Sequence, residues 1–168
     1  MKRSRRVVTP TVLQYEAVEC GAASLKIVLG YWGKILPLAQ LRELCGISRD
    51  GVTALQLKQA AQLVGLEVKA FGRAAEALRT SGSFPCIIFW NFNHFLVLEG
   101  FEHGRAYLSD PAFGRRSVDW EEFQTSFTGI VLELLPGAGF SPGGRDPSLY
   151  HWVPSLLAPY RSLLPWLA

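Results

Sequence analysis

Apolar positions in the first part of the chain recur with a helical period. Leu25, Val28, Leu29 and Trp32 stand at i, i+3, i+4 and i+7, which predicts a helix from Cys20 to Trp32 with one buried face. Gly33 offers the left-handed conformation that stops it. Leu38, Leu41 and Leu44 ahead of Gly46 predict a second, shorter helix. A third starts at Thr53, whose hydroxyl can cap the first turn while Gln56, three residues on, reaches back. It should end near Gly65.

From there the period changes. Leu66, Val68 and Ala70 alternate with polar partners, and the runs Cys86–Trp90, His94–Phe101, Ala106–Ser109 and Ile130–Leu135 are rich in residues that suit a pleated sheet. His103-Gly104-Arg105 reads as a hairpin turn between two of these strands, and Asp119 with Glu122 as the cap of a short helix. Helices first and an antiparallel sheet second predict an α+β fold.

After Leu135 the hydrophobic period is lost. Pro136-Gly137-Ala138-Gly139 and Ser141-Pro142-Gly143-Gly144 read as a flexible linker over 136–148, which bounds a domain at 1–135. The following stretch, 149–168, is apolar and aromatic, but Pro154, Pro159, Arg161 and Pro165 break it. It falls short of the run of about 20 apolar residues that spans a bilayer. We expect an interfacial segment or the lead-in to a membrane domain, with a helix packed on the domain's own surface as the alternative.

Composition narrows the class. A chain of 168 residues suits one well-buried domain, and 49% hydrophobic with 18% charged residues is a globular balance. The net charge is only +3, and the basic run Lys2, Arg3, Arg5 and Arg6 has no interleaved aromatics, so no nucleic-acid partner is expected. Cys20, Cys45 and Cys86 form no CxxC pair, which indicates neither a disulfide framework nor a zinc site and fits a reducing compartment. The basic N-terminus lacks a following apolar core, because Thr9, Pro10, Gln14, Glu16 and Glu19 interrupt it. The domain is expected in the cytosol.

Cys20 falls where the first helical period begins. Unpaired backbone N–H groups and the positive end of the helix dipole favour a thiolate there, against an ordinary thiol pKa of about 8.5. By position alone it reads equally as a nucleophile or as a small buried hydrophobe. Cys45, on a helical face, and Cys86, inside a strand-like run, read as core. Of the three histidines, His94 opens a strand after polar Asn91 and Asn93 and is the best-placed base. His103 lies in a turn and His151 in the tail. Asp110 follows the next strand, where it could orient the imidazole if the two strands pair, or simply open an Asp-Pro turn. Gln14 is either an oxyanion donor acting with the Cys20 N–H or a surface glutamine. Tyr15, Trp90 and Phe92 belong either to a cleft or to the core.

Three blocks, Gln14-Tyr15-Glu16-Ala17-Val18-Glu19-Cys20-Gly21-Ala22-Ala23-Ser24-Leu25, His94-Phe95-Leu96-Val97 and Asp110-Pro111, stand in this order. Together they resemble the double-glycine leader peptidase family, the papain-like domains at the N-terminus of ABC transporters that process and export bacteriocins and related peptides. The resemblance runs from about Thr9 to Leu135. It implies a papain-like cysteine peptidase with a catalytic triad of Cys20, His94 and Asp110, Gln14 in the oxyanion hole and no metal.

The implied substrate is a precursor peptide whose amphipathic leader helix ends in Gly-Gly or Gly-Ala, cut directly after that pair. Only residues with little side chain thread a narrow cleft in extended form, and the helix supplies affinity through its apolar face. Family members continue into transmembrane and nucleotide-binding domains. This chain has no GxxxxGK[ST] loop, so ATP is expected only in a domain outside it, and the resemblance places the peptidase on the cytoplasmic face of the bacterial plasma membrane. The alternatives are a non-catalytic module that docks leaders for an exporter and a free-standing papain-like peptidase with other substrates.

Overall fold

The computed structural model describes residues 6–146. After an extended N-terminal arm, a single 3-10 turn, Ala17–Glu19, runs directly into α1, Cys20–Tyr31. This helix buries more than the one face its periodicity predicts: Cys20 to Leu25 and Ile27 to Leu29 are all buried. A helix apolar on most sides belongs inside a molecule, and α1 lies between the sheet and two further helices, α2 (Leu38–Cys45) and α3 (Ala54–Leu63). Its small residues permit the close approach. A Cβ on Gly21 would lie 2.3 Å from a methyl of Val52. The predicted caps are present: Gly46 adopts φ +60 after α2, and Thr53 and Gln56 form the reciprocal pair at the head of α3.

The remaining elements are β1 (Leu66–Gly72), α4 (Ala75–Ser81), β2 (Cys86–Trp90), β3 (His94–Glu102), β4 (Arg105–Asp110), β5 (Gly114–Val118), α5 (Trp120–Ser126) and β6 (Phe127–Pro136). The strands form one antiparallel sheet in the order β1-β6-β2-β3-β4-β5. His103 and Gly104 both take positive φ in a two-residue turn joining β3 to β4, the geometry that suits strand twist. Three features depart from the sequence expectation. α4 and β5 had no hydrophobic period to announce them, and β6 begins at Phe127 rather than Ile130.

The sheet is covered on both faces. Ile87, Phe95, Val97, Leu132 and Leu134 pack with α1, α2 and α3. Their strand neighbours Ile88, Leu96, Leu98 and Val131 pack with Leu78 of α4 and Phe123 of α5. Alternate side chains point to opposite faces, so double burial makes β2 and β3 read as continuous apolar runs. The Gly/Pro stretch expected as a flexible linker lies, over 137–146, against the helical half. Gly137 N–H donates to Gly65 O at 3.0 Å, Gly143 bridges Gly33 and Ile35 through two 2.8 Å bonds, and Lys26 pairs with Asp146 at 2.7 Å. The apolar stretch at 149–168 and His151 fall outside the described residues. Among those described, no helix is long and apolar enough to cross a membrane.

Candidate active site

The junction between α1 and β3 brings the chemistry together. Ser24 Oγ, one turn into α1, donates to Phe95 O at 3.1 Å, while Phe95 N–H lies 3.5 Å from Cys20 Sγ. Both contacts hold the head of the helix against the start of the strand. His94 opens that strand after a turn in which Asn91 and Phe92 take positive φ. Its Nε2 lies 2.7 Å from Asp110 Oδ1. With Nε2 engaged by Asp110, Nδ1 is the nitrogen left to act on the Cys20 thiol.

A one-residue bulge decides which way Asp110 points. Val97 pairs with Ser109 and Leu98 with Leu108, but Gly100 pairs with Tyr107, so Glu99 is the extra residue. Adding one residue reverses the alternation beyond it. Continued past Val97, the pairing sets Asp110 opposite Leu96, on the side shared with His94. The bulge is anchored by its own side chain. Glu99, fully buried, accepts at Oε1 from the N–H and Oγ1 of Thr9, each at 2.8 Å, and pairs with Arg115 at 3.3 Å.

Asp110 is 1% exposed, and both of its oxygens are engaged. Besides His94, Oδ1 accepts from Ala112 N–H at 2.9 Å, and Oδ2 accepts from Arg116 Nε at 3.0 Å. The Arg116 guanidinium lies 5.6 Å over the Trp90 ring and also reaches Glu122 at 3.4 Å. Burial would raise the Asp110 carboxyl, but the bonds from His94 and Ala112, the imidazolium charge and Arg116 together hold it below its ordinary value. Burial would likewise lower His94. The Asp110 bond, the Cys20 bond and the charges of both partners raise it instead, to about 9.

For Cys20, burial raises the thiol. The hydrogen bond with His94, the Phe95 N–H, the imidazolium charge and the Gly21 N–H outweigh burial and bring it below the ordinary thiol value. A lowered thiol facing a raised imidazole favours the thiolate–imidazolium pair. The other two thiols are pushed the opposite way by burial, Cys45 to about 11 and Cys86 further still.

The structure thus joins Cys20, His94 and Asp110 at one corner. It brings Gln14 alongside through the backbone: Gln14 N–H donates to Pro111 O at 2.9 Å, one residue past Asp110. The Gln14 side-chain oxygen is buried. Beside Cys20 a cavity of about 270 Å³ is walled by Val18, Gly51 and Val52 from the helical half and by Phe89, Phe92 and Phe95 from the sheet. Phe92 is therefore a cleft residue, whereas Trp90 is core and Tyr15 is exposed. His103 is solvated in its turn. Arg116 was not anticipated. Its only sequence signal is the pair Arg115-Arg116 just past Asp110-Pro111, in a strand too polar to be recognised.

A helix-borne cysteine facing a histidine and an aspartate brought in by a sheet defines a cysteine peptidase of the papain-like kind. Over residues 8–139 the chain matches the Peptidase C39 family, and it belongs to that family. It is 36% identical over 140 residues to the colicin V secretion/processing ATP-binding protein CvaB of Escherichia coli, covering 83% of this chain and 20% of that protein. It is 31% identical over 169 residues to the transport/processing ATP-binding protein ComA of Streptococcus pneumoniae, covering 94% of this chain and 23% of that one. The chain thus spans about a fifth of the length of these relatives.

Among solved structures, it is similar to a double glycine motif protease from an AMS/PCAT transporter, crystallised in complex with the leader peptide. The identity is 51% and the TM-score 0.77, covering 80% of this chain and 96% of that one. The peptidase domain of Streptococcus ComA is 28% identical with a TM-score of 0.71, covering 74% of this chain and 96% of the other.

Proposed function

We propose that this domain removes the leader from ribosomally made precursor peptides of the bacteriocin type by cutting after a Gly-Gly or Gly-Ala pair, with Cys20, His94, Asp110 and Gln14 as its catalytic groups. The Cys20 thiolate attacks the carbonyl carbon of the second small residue, and the oxyanion is held by the Gln14 amide and the Cys20 N–H. As the C–N bond breaks, the His94 imidazolium gives its proton to the departing amine and a thioester remains. His94 then takes a proton from water, which attacks the thioester and releases the leader as a carboxylate while Cys20 leaves as thiolate. Asp110 holds the imidazole in the required orientation throughout.

The observation that carries this reading is the meeting of Cys20, His94 and Asp110 at one corner, with His94 held by Asp110 and the Cys20 thiol lowered by His94. A module that only docked leaders would have no use for that chemistry. The walls of Val52 and three phenylalanines around the cavity favour a substrate with almost no side chains at the cut, as a glycine pair provides. The solved relative bound to a leader peptide supports the same substrate class.

In the intact protein we place this domain ahead of transmembrane and nucleotide-binding domains, where ATP would bind, on the cytoplasmic face of the bacterial membrane. We take 1–135 as the catalytic unit and 136–148 as the connection. The test is incubation with a double-glycine leader fused to a reporter, followed by mass measurement of the products. A break directly after the glycine pair is expected; an intact fusion, or a break elsewhere, overturns the assignment.

A further inference from the structure

Gln14 Oε1 is buried without a hydrogen bond among the described residues. The direction of this amide therefore depends on the backbone that carries it, and that backbone is held from both sides. On one side lies the bond from Gln14 N–H to Pro111 O. On the other, the N–H groups of Tyr15 and Glu16 both donate to Oε2 of Glu19, at 2.7 and 3.0 Å. Glu19 is fully buried and immediately precedes the nucleophile. Its Oε1 lies 2.7 Å from the Arg42 guanidinium of α2, which also reaches Glu16 at 3.6 Å.

A buried carboxylate is costly unless a partner charge and donors satisfy it. Here the donors are the two residues that follow Gln14, and the carboxylate belongs to the residue before Cys20. One side chain thus sets the spacing between the two groups assigned to the oxyanion, the Gln14 amide and the Cys20 N–H. The Cys20 thiolate is stabilised by other groups, His94 and the N–H of Phe95. Stabilising the oxyanion and activating the nucleophile are therefore separable by substitution.

We propose that Glu19, held by Arg42, is a positioning residue that fixes Gln14 against Cys20 and so preorganises the oxyanion hole before substrate arrives. The proposal rests on the assignment of Gln14 above. The experiment compares two readouts in Glu19→Gln, Arg42→Met, Arg42→Lys and Gln14→Ala. One is kcat and KM on a synthetic peptide carrying Gly-Gly ahead of a reporter. The other is the rate of Cys20 alkylation by iodoacetamide across pH, a direct displacement that develops no oxyanion and reads the thiolate alone.

Glu19→Gln and Arg42→Met should lower kcat about 10- to 100-fold, the size of effect a small misplacement produces. Their alkylation curves should not move, and Arg42→Lys should recover part of the loss. Gln14→Ala should lose about 10²- to 10³-fold, and adding Glu19→Gln to it should cost little more, because both act through one donor. Wild-type turnover in Glu19→Gln and Arg42→Met overturns the proposal and leaves the Gln14 assignment standing. A shifted alkylation curve also overturns it, by assigning Glu19 to the thiol. Wild-type turnover in Gln14→Ala overturns the assignment and the proposal together. If Glu19→Gln does not fold, the Arg42 pair on a partly exposed helix face decides.

Discussion

Cys20 and Cys86 are both buried thiols, one at the head of α1 and the other at the start of β2, yet their surroundings drive them in opposite directions. Around Cys86, burial and then the Glu133 charge raise the pKa, with only Arg73 opposing. Around Cys20, burial acts the same way, but the imidazole of His94 and two backbone N–H groups outweigh it. The difference comes from partners rather than exposure, since Cys20 is itself only 6% exposed. Cys45 on α2 behaves like Cys86, which isolates the effect to the α1–β3 corner.

The sharpest break in this contrast is Cys20→Ala. Cleavage of a double-glycine reporter should fall by about 10⁴-fold or more, as when a nucleophile that acts within a triad is removed, while leader binding measured by calorimetry stays near wild type. Next comes Asp110→Asn, which leaves the imidazole without an anionic partner. We expect kcat to fall about 10²- to 10⁴-fold with the circular dichroism of the fold retained.

Smaller is Arg116→Gln, which removes one of the cations that keep Asp110 ionised. Turnover should drop about tenfold, because a carboxyl that has lost a neighbouring cation and donor holds the His94 imidazolium less firmly. In the wild type the acid limb of kcat/KM should lie below the ordinary thiol range, where Cys20 gains its proton, and the basic limb near 9, where His94 loses its proton. A profile with only one limb at the free-thiol pKa would show that the pair does not form.

The smallest effect on activity is expected at the other pole of the contrast. Cys86→Ala should leave kcat unchanged and lower stability by about 1–2 kcal/mol in urea unfolding, the cost of a small cavity in a packed interior. Iodoacetamide at pH 7 should mark Cys20 and spare Cys45 and Cys86 until the chain unfolds.

Several elements were readable before the fold was known because each is written in a local code. The apolar period that starts at Cys20, Thr53 with Gln56, and His103-Gly104 each specify a structure within a few residues. The polar edge strand β5 and the seven-residue α4, whose buried anchor is Leu78 alone, carry no such code. Both exist because the rest of the sheet offers them an edge to pair with or a face to cover. The same limit hid Arg116, which reaches the site through an oxygen six positions earlier in the chain.

What the sequence determined alone was the set of groups: a cysteine at the start of a helix, a histidine at the start of a strand, an aspartate at the end of the next, and a glutamine a few residues upstream. Tertiary structure decided whether they meet and in what charge state. The reversal of strand alternation at Glu99, the Arg116 contact and the Glu19–Arg42 clamp arise between residues distant in sequence or across elements, and hydrogen bonds and Coulomb interactions depend on separation in space. Local periodicity records which way a side chain faces along its own element and is blind to what stands opposite.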